Sequence, residues 1–119
     1  VSGGGHSGGG VCISTSDHAR FGLLFLRRAN WNGEQLISER WIDQATTSST
    51  ANESYGYMWW VNRGERAWEG VSPSVYYAAG FGGNFIIIDN ENDLVIVTRW
   101  LNPPQVGEMV RLVQAAIEK

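Results

Sequence analysis

The sequence predicts an α+β fold in which helices cover one face of an antiparallel sheet. Two apolar runs, residues 85–88 and 94–97, are separated by the five polar residues 89–93, a connection of the length that β-hairpin loops use. A third run, residues 75–79, ends at a corner with three glycines in four residues, 80–83. Helical periodicity precedes these runs and returns after them, so helices and strands are segregated along the chain.

The first helix is predicted to begin at Ser14 and to run to about Ala29. Ser14 is a favoured N-cap residue, and Asp17 three positions later resembles a capping box and places an acid in the first turn. Apolar side chains between these ends form a broad face, which predicts that one side is mostly buried. Arg27 and Arg28 in the last turn suit the negative end of the helix dipole.

A tight turn and a second, shorter helix are predicted next. The Asn-Gly pair within residues 30–33 readily supplies the positive φ that a reversal needs. Ser38 can cap a helix over residues 39–45, which we expect to bury Trp41 and Ile42.

The rest of the chain is predicted to form the sheet and one more helix. Residues 46–54 are polar without periodicity and form a loop, whereas residues 55–61, YGYMWWV, are short and aromatic and favour a strand. Prolines at 103 and 104 end the last strand, and residues 105–118 form a helix that lies on the sheet. Its apolar stripe consists of Val106, Met109, Val110, Val113 and Ile117.

Composition excludes several classes of partner. The net charge is −3 and the nine basic residues are mostly scattered, so we expect no nucleic-acid partner. No stretch approaches the roughly 18 apolar residues that span a bilayer, so no membrane partner is predicted. The single cysteine, Cys12, cannot form an internal disulfide, and no cofactor or metal motif is present. Neither observation indicates a cellular compartment.

Residues 8–46, 55–62 and 78–100, taken in this order, carry a family likeness. They resemble the C-terminal part of a serine β-lactamase-like hydrolase, the group of class C β-lactamases, DD-peptidases and related esterases. The likeness covers nearly the whole chain and implies that residues 1–119 are a single partial domain, the C-terminal segment of such a hydrolase. The glycine-rich start, with six glycines among the first ten residues, also suggests a chain cut from a longer one.

The resemblance implies a site along the third apolar run. In the family, a cleft-facing strand carries K-T-G or H-x-G, and the matching slot here is Ala78-Ala79-Gly80. Gly80 would let backbone approach the substrate, and the Phe81 N–H would match the strand's donor to the oxyanion hole. The two alanines remove the usual contacts to a substrate carboxylate. That departure argues against a true β-lactamase and favours an esterase-like or amidase-like parent with a small ester or amide substrate.

The catalytic groups of the family lie outside this chain. The family uses an S-x-x-K nucleophile and a Y-x-N base, but the only lysine here is Lys119 and neither motif occurs. We therefore expect the chain to be inactive alone. Its alternative function is that of a non-catalytic binding or self-association module.

Three further residues are candidates for lining the cleft. His6 either lines it or is an ordinary loop histidine, and the adjacent Ser7 lacks the support that a nucleophile needs. Tyr57 and Trp59 lie beside the cleft by the resemblance, although aromatic residues in α+β domains are more often core. Asp89, Glu91 and Asp93 fit a solvated turn better than a cation site.

The last strand, residues 94–100, is predicted to have an open edge. In the family its far side pairs with strands from the N-terminal half. Exposed ladder groups on an apolar strand invite pairing with another chain. The sequence therefore predicts either a homodimer, formed directly or by swapping, or a complementing chain at this edge.

Overall fold

The computed structural model describes residues 13–117, which form the predicted α+β fold. Within this range there are three α-helices, a four-stranded antiparallel sheet and a two-stranded one. The helices are α1 (Thr15–Leu26), α2 (Glu39–Ala45) and α3 (Val106–Ile117). The strands are β1 (Asn30–Trp31), β2 (Glu34–Gln35), β3 (Trp60–Val61), β4 (Tyr76–Gly80), β5 (Asn84–Asp89) and β6 (Leu94–Thr98).

The larger sheet is a meander with strand order β3-β4-β5-β6, as predicted. Tyr77 pairs with Ile87, and Ile87 pairs in turn with Ile96, so one face of the sheet carries a row of large apolar side chains. The loop between β4 and β5 has only three residues, and Gly82 and Gly83 both take positive φ there.

The sheet is covered on both faces, so the expectation of a single covered face is wrong. Tyr76 and Ile88 pack with Phe25 of α1, while Tyr77 and Ile87 pack with Val106 of α3. Successive residues of a strand point to opposite faces, and two neighbouring residues, Ile87 and Ile88, are both fully buried. Consecutive apolar residues in a strand indicate two buried faces, and residues 85–88 carry this pattern.

Helix α1 begins as predicted but ends three residues early. The Ser14 side chain accepts a hydrogen bond from the Asp17 N–H at 3.1 Å, which is the predicted cap. After Leu26 the backbone turns left-handed, because Arg28 and Ala29 have φ of 52° and 63°. The Ala29 methyl group is fully buried in the core, so packing holds this unfavourable conformation in place.

The β1–β2 hairpin and α2 match the prediction, apart from the burial of one residue. Asn32 and Gly33 have φ of 53° and 89°, the paired positive values of a two-residue hairpin. Ser38 caps α2, and Ile42 is buried as expected. Trp41 is 45% exposed, so its predicted burial is wrong. Only the side of this short helix that carries Ile42 and Ala45 packs on the core, and Trp41 lies on another side.

The aromatic segment 55–61 contributes less strand than predicted. Only its last two residues lie in β3, and an isolated bridge joins Tyr55 to Trp60. Met58 has φ of 68° and turns the chain back between the bridged residues. The terminal helix starts at Val106, which is buried with Val110, while Ile117 in its last turn is exposed.

Candidate functional site

The predicted wall of the cleft lies where β4 passes the end of β3. Strand β3 pairs with β4 only at Tyr76 and Tyr77. Beyond Tyr77, no strand among residues 13–117 pairs with the outer side of β4. Ala79 and Gly80 are exposed there, and Phe81, the next residue, is 96% exposed. We call residues 79–81 the open β4 edge.

Strand parity sets the direction of the backbone groups at this edge. The Asn62 N–H donates to the Val75 carbonyl at 2.9 Å, so Val75 points its polar groups toward β3. Polar groups alternate sides along a strand, so those of Ala79 point the same way, while those of Gly80 point toward β5. The N–H of a peptide lies opposite its carbonyl. The Phe81 N–H therefore points outward from the sheet.

The glycine corner holds the end of β4 against the last residues of the sheet. A Cβ on Gly82 would collide with the Trp100 ring, and a Cβ on Gly83 would collide with the Leu101 carbonyl. The Gly83 carbonyl accepts hydrogen bonds from the Leu101 N–H and the Thr98 hydroxyl. Glycine is required at both positions, so close packing fixes the backbone that directly follows Phe81.

Trp100 is an unusual part of this corner. Its φ is 60°, and its side chain is 71% exposed while lying on the Gly82 backbone. A bulky residue in the left-handed region costs on the order of 1–3 kcal/mol. Sequence reasoning did not assign Trp100 a place beside the glycine corner, because no local pattern connects positions 82 and 100.

One cation lies near the corner. The Arg99 side chain donates to the Asn84 Oδ1 at 2.9 Å and to the Ile13 carbonyl at 3.3 Å. Asn84 in turn donates from its Nδ2 to the Phe81 carbonyl at 2.6 Å. The Asn84 amide thus connects the Arg99 guanidinium to the Phe81 carbonyl. These bonds hold the carbonyl of Phe81 and do not involve its N–H.

The structure separates the other predicted cleft residues. Ala78 is half-buried and packs against the core on the α1 face of the sheet, whereas Ala79 is exposed on the opposite face. Trp59 is only 4% exposed and its ring lies 4.5 Å from that of Phe25, so it is a core residue in this structure. Tyr57 is half exposed and lies against Trp41. His6 lies outside the described residues.

Asn62 organises the loop that leads into β4. Its side-chain oxygen accepts from the Ala67 and Trp68 N–H groups, and its Nδ2 donates to the carbonyls of Trp68, Val71 and Ser72. The residue is fully buried. Its side chain therefore pairs with backbone groups of the loop over residues 67–72 and helps to fix where β4 begins.

Burial raises the pKa of the two tyrosines of β4. The pKa of Tyr76 rises to about 12, chiefly because its phenol is removed from water, although Arg28 and Asn90 partly offset this. Burial also raises the pKa of Tyr77. Both phenols therefore hold their protons more tightly than an exposed tyrosine does.

The opposite side of the sheet ends at β6. In the ladder of residues 13–117, β5 is its single neighbour. The same parity that directs Gly80 toward β5 directs Ile96 toward β5 and directs Val95 and Val97 outward. A groove of about 370 Å³ lies beside this edge, lined by apolar and polar residues of α1 and by Val95, and the Arg27–Asp93 pair is also part of its lining.

Two further findings concern possible ligands. Residues 13–117 contain no cluster of three or more His, Cys, Asp or Glu side chains that could hold a metal ion. None of the helices in the same range is long and apolar enough to cross a membrane.

Neither the protein-family models nor the curated proteins include a match to this chain.

Proposed function

We propose that this chain is the C-terminal segment of a serine β-lactamase-like hydrolase that cleaves an ester or amide. In this role the open β4 edge forms one wall of the cleft and the Phe81 N–H is one of the two oxyanion donors. The nucleophile and base come from the N-terminal part of the same protein. The observation that supports this most is the outward direction of the Phe81 N–H, at an exposed strand end held by Gly82 and Gly83.

The chemistry assigned to this chain is electrostatic. When a serine attacks the substrate carbonyl, negative charge develops on the carbonyl oxygen, and a fixed N–H stabilises that charge more than it stabilises the ground state. Gly80 lets the carbonyl come close to the strand because it carries no side chain. The alanines at 78 and 79 offer no cation or hydroxyl, so a substrate recognised here needs no carboxylate next to the scissile bond.

The first test is the coding sequence upstream of residue 1. The proposal expects S-x-x-K followed by Y-x-N there. If the upstream open reading frame has neither motif, the hydrolase assignment is refuted.

The second test uses the chain reassembled with that upstream segment. Phe81→Pro removes the N–H, and Gly80 before it lies in a strand, where a following proline is tolerated. We expect kcat for a p-nitrophenyl ester to fall about 100-fold to 1,000-fold, the usual loss for one oxyanion donor. Phe81→Ala keeps the N–H and is the matched control. We expect its KM to rise and its kcat to stay at the wild-type value. Equal kcat in the two variants would exclude Phe81 as the donor.

A second function, self-association through β6, is supported by the open edge at Val95 and Val97. A second copy could add its β6 there and extend the sheet, with the groove beside α1 receiving its side chains. Val97→Pro removes an outward N–H without breaking the β5 ladder, whereas Ile96→Pro breaks that ladder. We expect the wild-type chain to sediment as a dimer and folded Val97→Pro to sediment as a monomer. A wild-type chain that is folded and monomeric at about 100 μM would refute self-association, because a dimer tight enough to function would be almost fully formed at that concentration.

A further inference from the structure

An open depression of about 510 Å³ lies between the second half of α2 and Tyr57. Its lining is rich in hydroxyl and amide groups, including Gln44, Thr47, Ser48 and Thr50. Its volume falls within the range of small-molecule sites. Its lining combines apolar surface with several hydrogen-bond donors and acceptors.

The hydroxyl groups of this wall are oriented by the backbone. Thr47 donates its hydroxyl hydrogen to the Asp43 carbonyl at 2.6 Å, and Ser48 donates to the Glu53 carbonyl at 2.6 Å. With their hydrogens engaged, both oxygens present lone pairs as acceptors. Gln44 contributes an amide that both donates and accepts. The wall therefore suits a ligand that carries many hydroxyl groups.

One aromatic ring lines the depression, and a second ring packs against it. Tyr57 is 50% exposed, and its ring centroid lies 5.4 Å from that of Trp41 with an interplanar angle of 34°. Tyr57 forms part of the depression, and Trp41 supports its ring. An exposed ring face beside hydroxyl acceptors matches the two kinds of surface on a sugar ring, namely an apolar face of C–H groups and a polar perimeter.

The position of Tyr57 is fixed in advance of binding. The Tyr57 N–H donates to the Ala45 carbonyl at 2.9 Å, at the end of α2. Gly56 is buried against the same carbonyl, and a Cβ there would collide with it. The Tyr57 backbone is thus attached to the helix that supplies Trp41 and Gln44, and little backbone entropy remains to be lost there when a ligand binds.

The charge beside the depression disfavours an anionic ligand. Asp43 is the acidic residue in its lining, and the Arg28 Nη2 donates to its Oδ1 at 2.8 Å. Arg28 also pairs with Glu39 at 3.1 Å, so one cation faces two carboxylates and a net negative charge remains.

We propose that this depression binds a neutral carbohydrate, with Tyr57 stacking on a pyranose ring and the Thr47, Ser48 and Gln44 side chains bonding its hydroxyl groups. Binding here requires no nucleophile and uses no residue of the open β4 edge. The proposal therefore goes beyond the hydrolase function, and its test is independent of that function.

The test is a titration of the ¹⁵N-labelled full chain with cellobiose, maltose and N,N′-diacetylchitobiose, followed by amide and indole chemical shifts. We expect at least one disaccharide to bind with a dissociation constant in the millimolar range. The shifts should be confined to Trp41, Thr47, Ser48 and Tyr57. No localised shift with any of the three sugars up to about 50 mM would overturn the proposal.

Variants separate stacking from nonspecific binding. Tyr57→Ala should weaken binding about fivefold to tenfold, whereas Tyr57→Phe keeps the ring and should stay within about twofold of wild type. Leu112→Ala, which removes an exposed apolar side chain on α3, should bind as wild type does. Unchanged affinity in folded Tyr57→Ala, or equal loss in Leu112→Ala, would contradict the proposed site.

Discussion

Replacing Asn62 by alanine should destabilise the whole domain, although the residue lies in no helix or strand. The change removes five hydrogen bonds of 2.8–3.3 Å and leaves two N–H groups and three carbonyls of the loop without these partners. At about 0.5–1 kcal/mol for each bond, with the longer ones at the low end, the free energy of unfolding should fall by about 3 kcal/mol. In urea, the midpoint should fall by about 2 M.

Tryptophan fluorescence and far-UV circular dichroism should report this loss as one transition, because Asn62 fixes the start of β4. Asn52 provides a matched control, since its exposed side chain caps only a local turn through a bond to the Ser54 N–H at 2.9 Å. Asn52→Ala should shift the midpoint by less than about 0.5 M, in keeping with a surface substitution. A shift equally small in Asn62→Ala would refute the role given to the buried amide.

Asn62→Asp extends the same reasoning to pH. One carboxylate oxygen would accept from the Ala67 and Trp68 N–H groups, but the other would face the three carbonyls that now receive Nδ2. The charged form is disfavoured there, so the folded-state pKa of this aspartate should exceed its unfolded value of about 3.9. The folded state then binds more protons, and stability should fall as pH rises above about 4 until the folded pKa is passed. A variant whose stability rises over this interval would contradict the bonding scheme.

Three other outcomes test the packing and the burial. Gly56→Ala should destabilise the chain more than Gly33→Ala. The new methyl group would collide with the Ala45 carbonyl at position 56, whereas at position 33 nothing lies within 4 Å and only the φ of 89° opposes it. Equal urea midpoints for the two variants would contradict this. Gly22→Ala should loosen α1 from β6, since its Cβ would lie 2.6 Å from the Val95 Cγ1, and amide exchange in β6 should accelerate; unchanged exchange would show that the helix can shift freely. In a spectrophotometric titration, Tyr76 should ionise near pH 12. Because its folded pKa is raised above the ordinary value of 10.0, the free energy of unfolding should decline as pH rises from about 10 to 12. Tyr76→Phe should remove that pH-dependent contribution.

Local signals in the sequence predicted most of the elements. Ser14 and Ser38 cap their helices through bonds to residues three positions away, so their information is complete within one turn. The Asn32-Gly33 reversal is equally local. These features needed no knowledge of the tertiary structure.

The errors arose where distant parts of the chain decide the conformation. Helix α1 ends at Leu26 because burial of Ala29 holds a left-handed backbone that alanine does not favour locally. Trp41 packs on Tyr57, sixteen positions later, and this partner is itself half exposed, so Trp41 is not buried in the core. The bonding of Asn62 also has no sequence signature, since its partners lie five to ten residues away in an irregular loop.

The candidate site divides in the same way. The glycine corner and the approach of β4 could be predicted, because three glycines in four residues require close contacts or positive φ. The outward direction of the Phe81 N–H could not, since it depends on the pairing of Asn62 with Val75 and on where β3 stops.

Asp89 joins two parts of the fold that are far apart in the sequence. Its buried carboxylate accepts from the Glu91 and Asn92 N–H groups in the β5–β6 turn and from the Gln114 Nε2 of α3 at 2.7 Å. Closing the last hairpin therefore creates the acceptor to which the terminal helix attaches. We expect hairpin closure and helix docking to form one cooperative folding unit, with matching amide protection in β5 and α3, in which neither part persists after the other has opened.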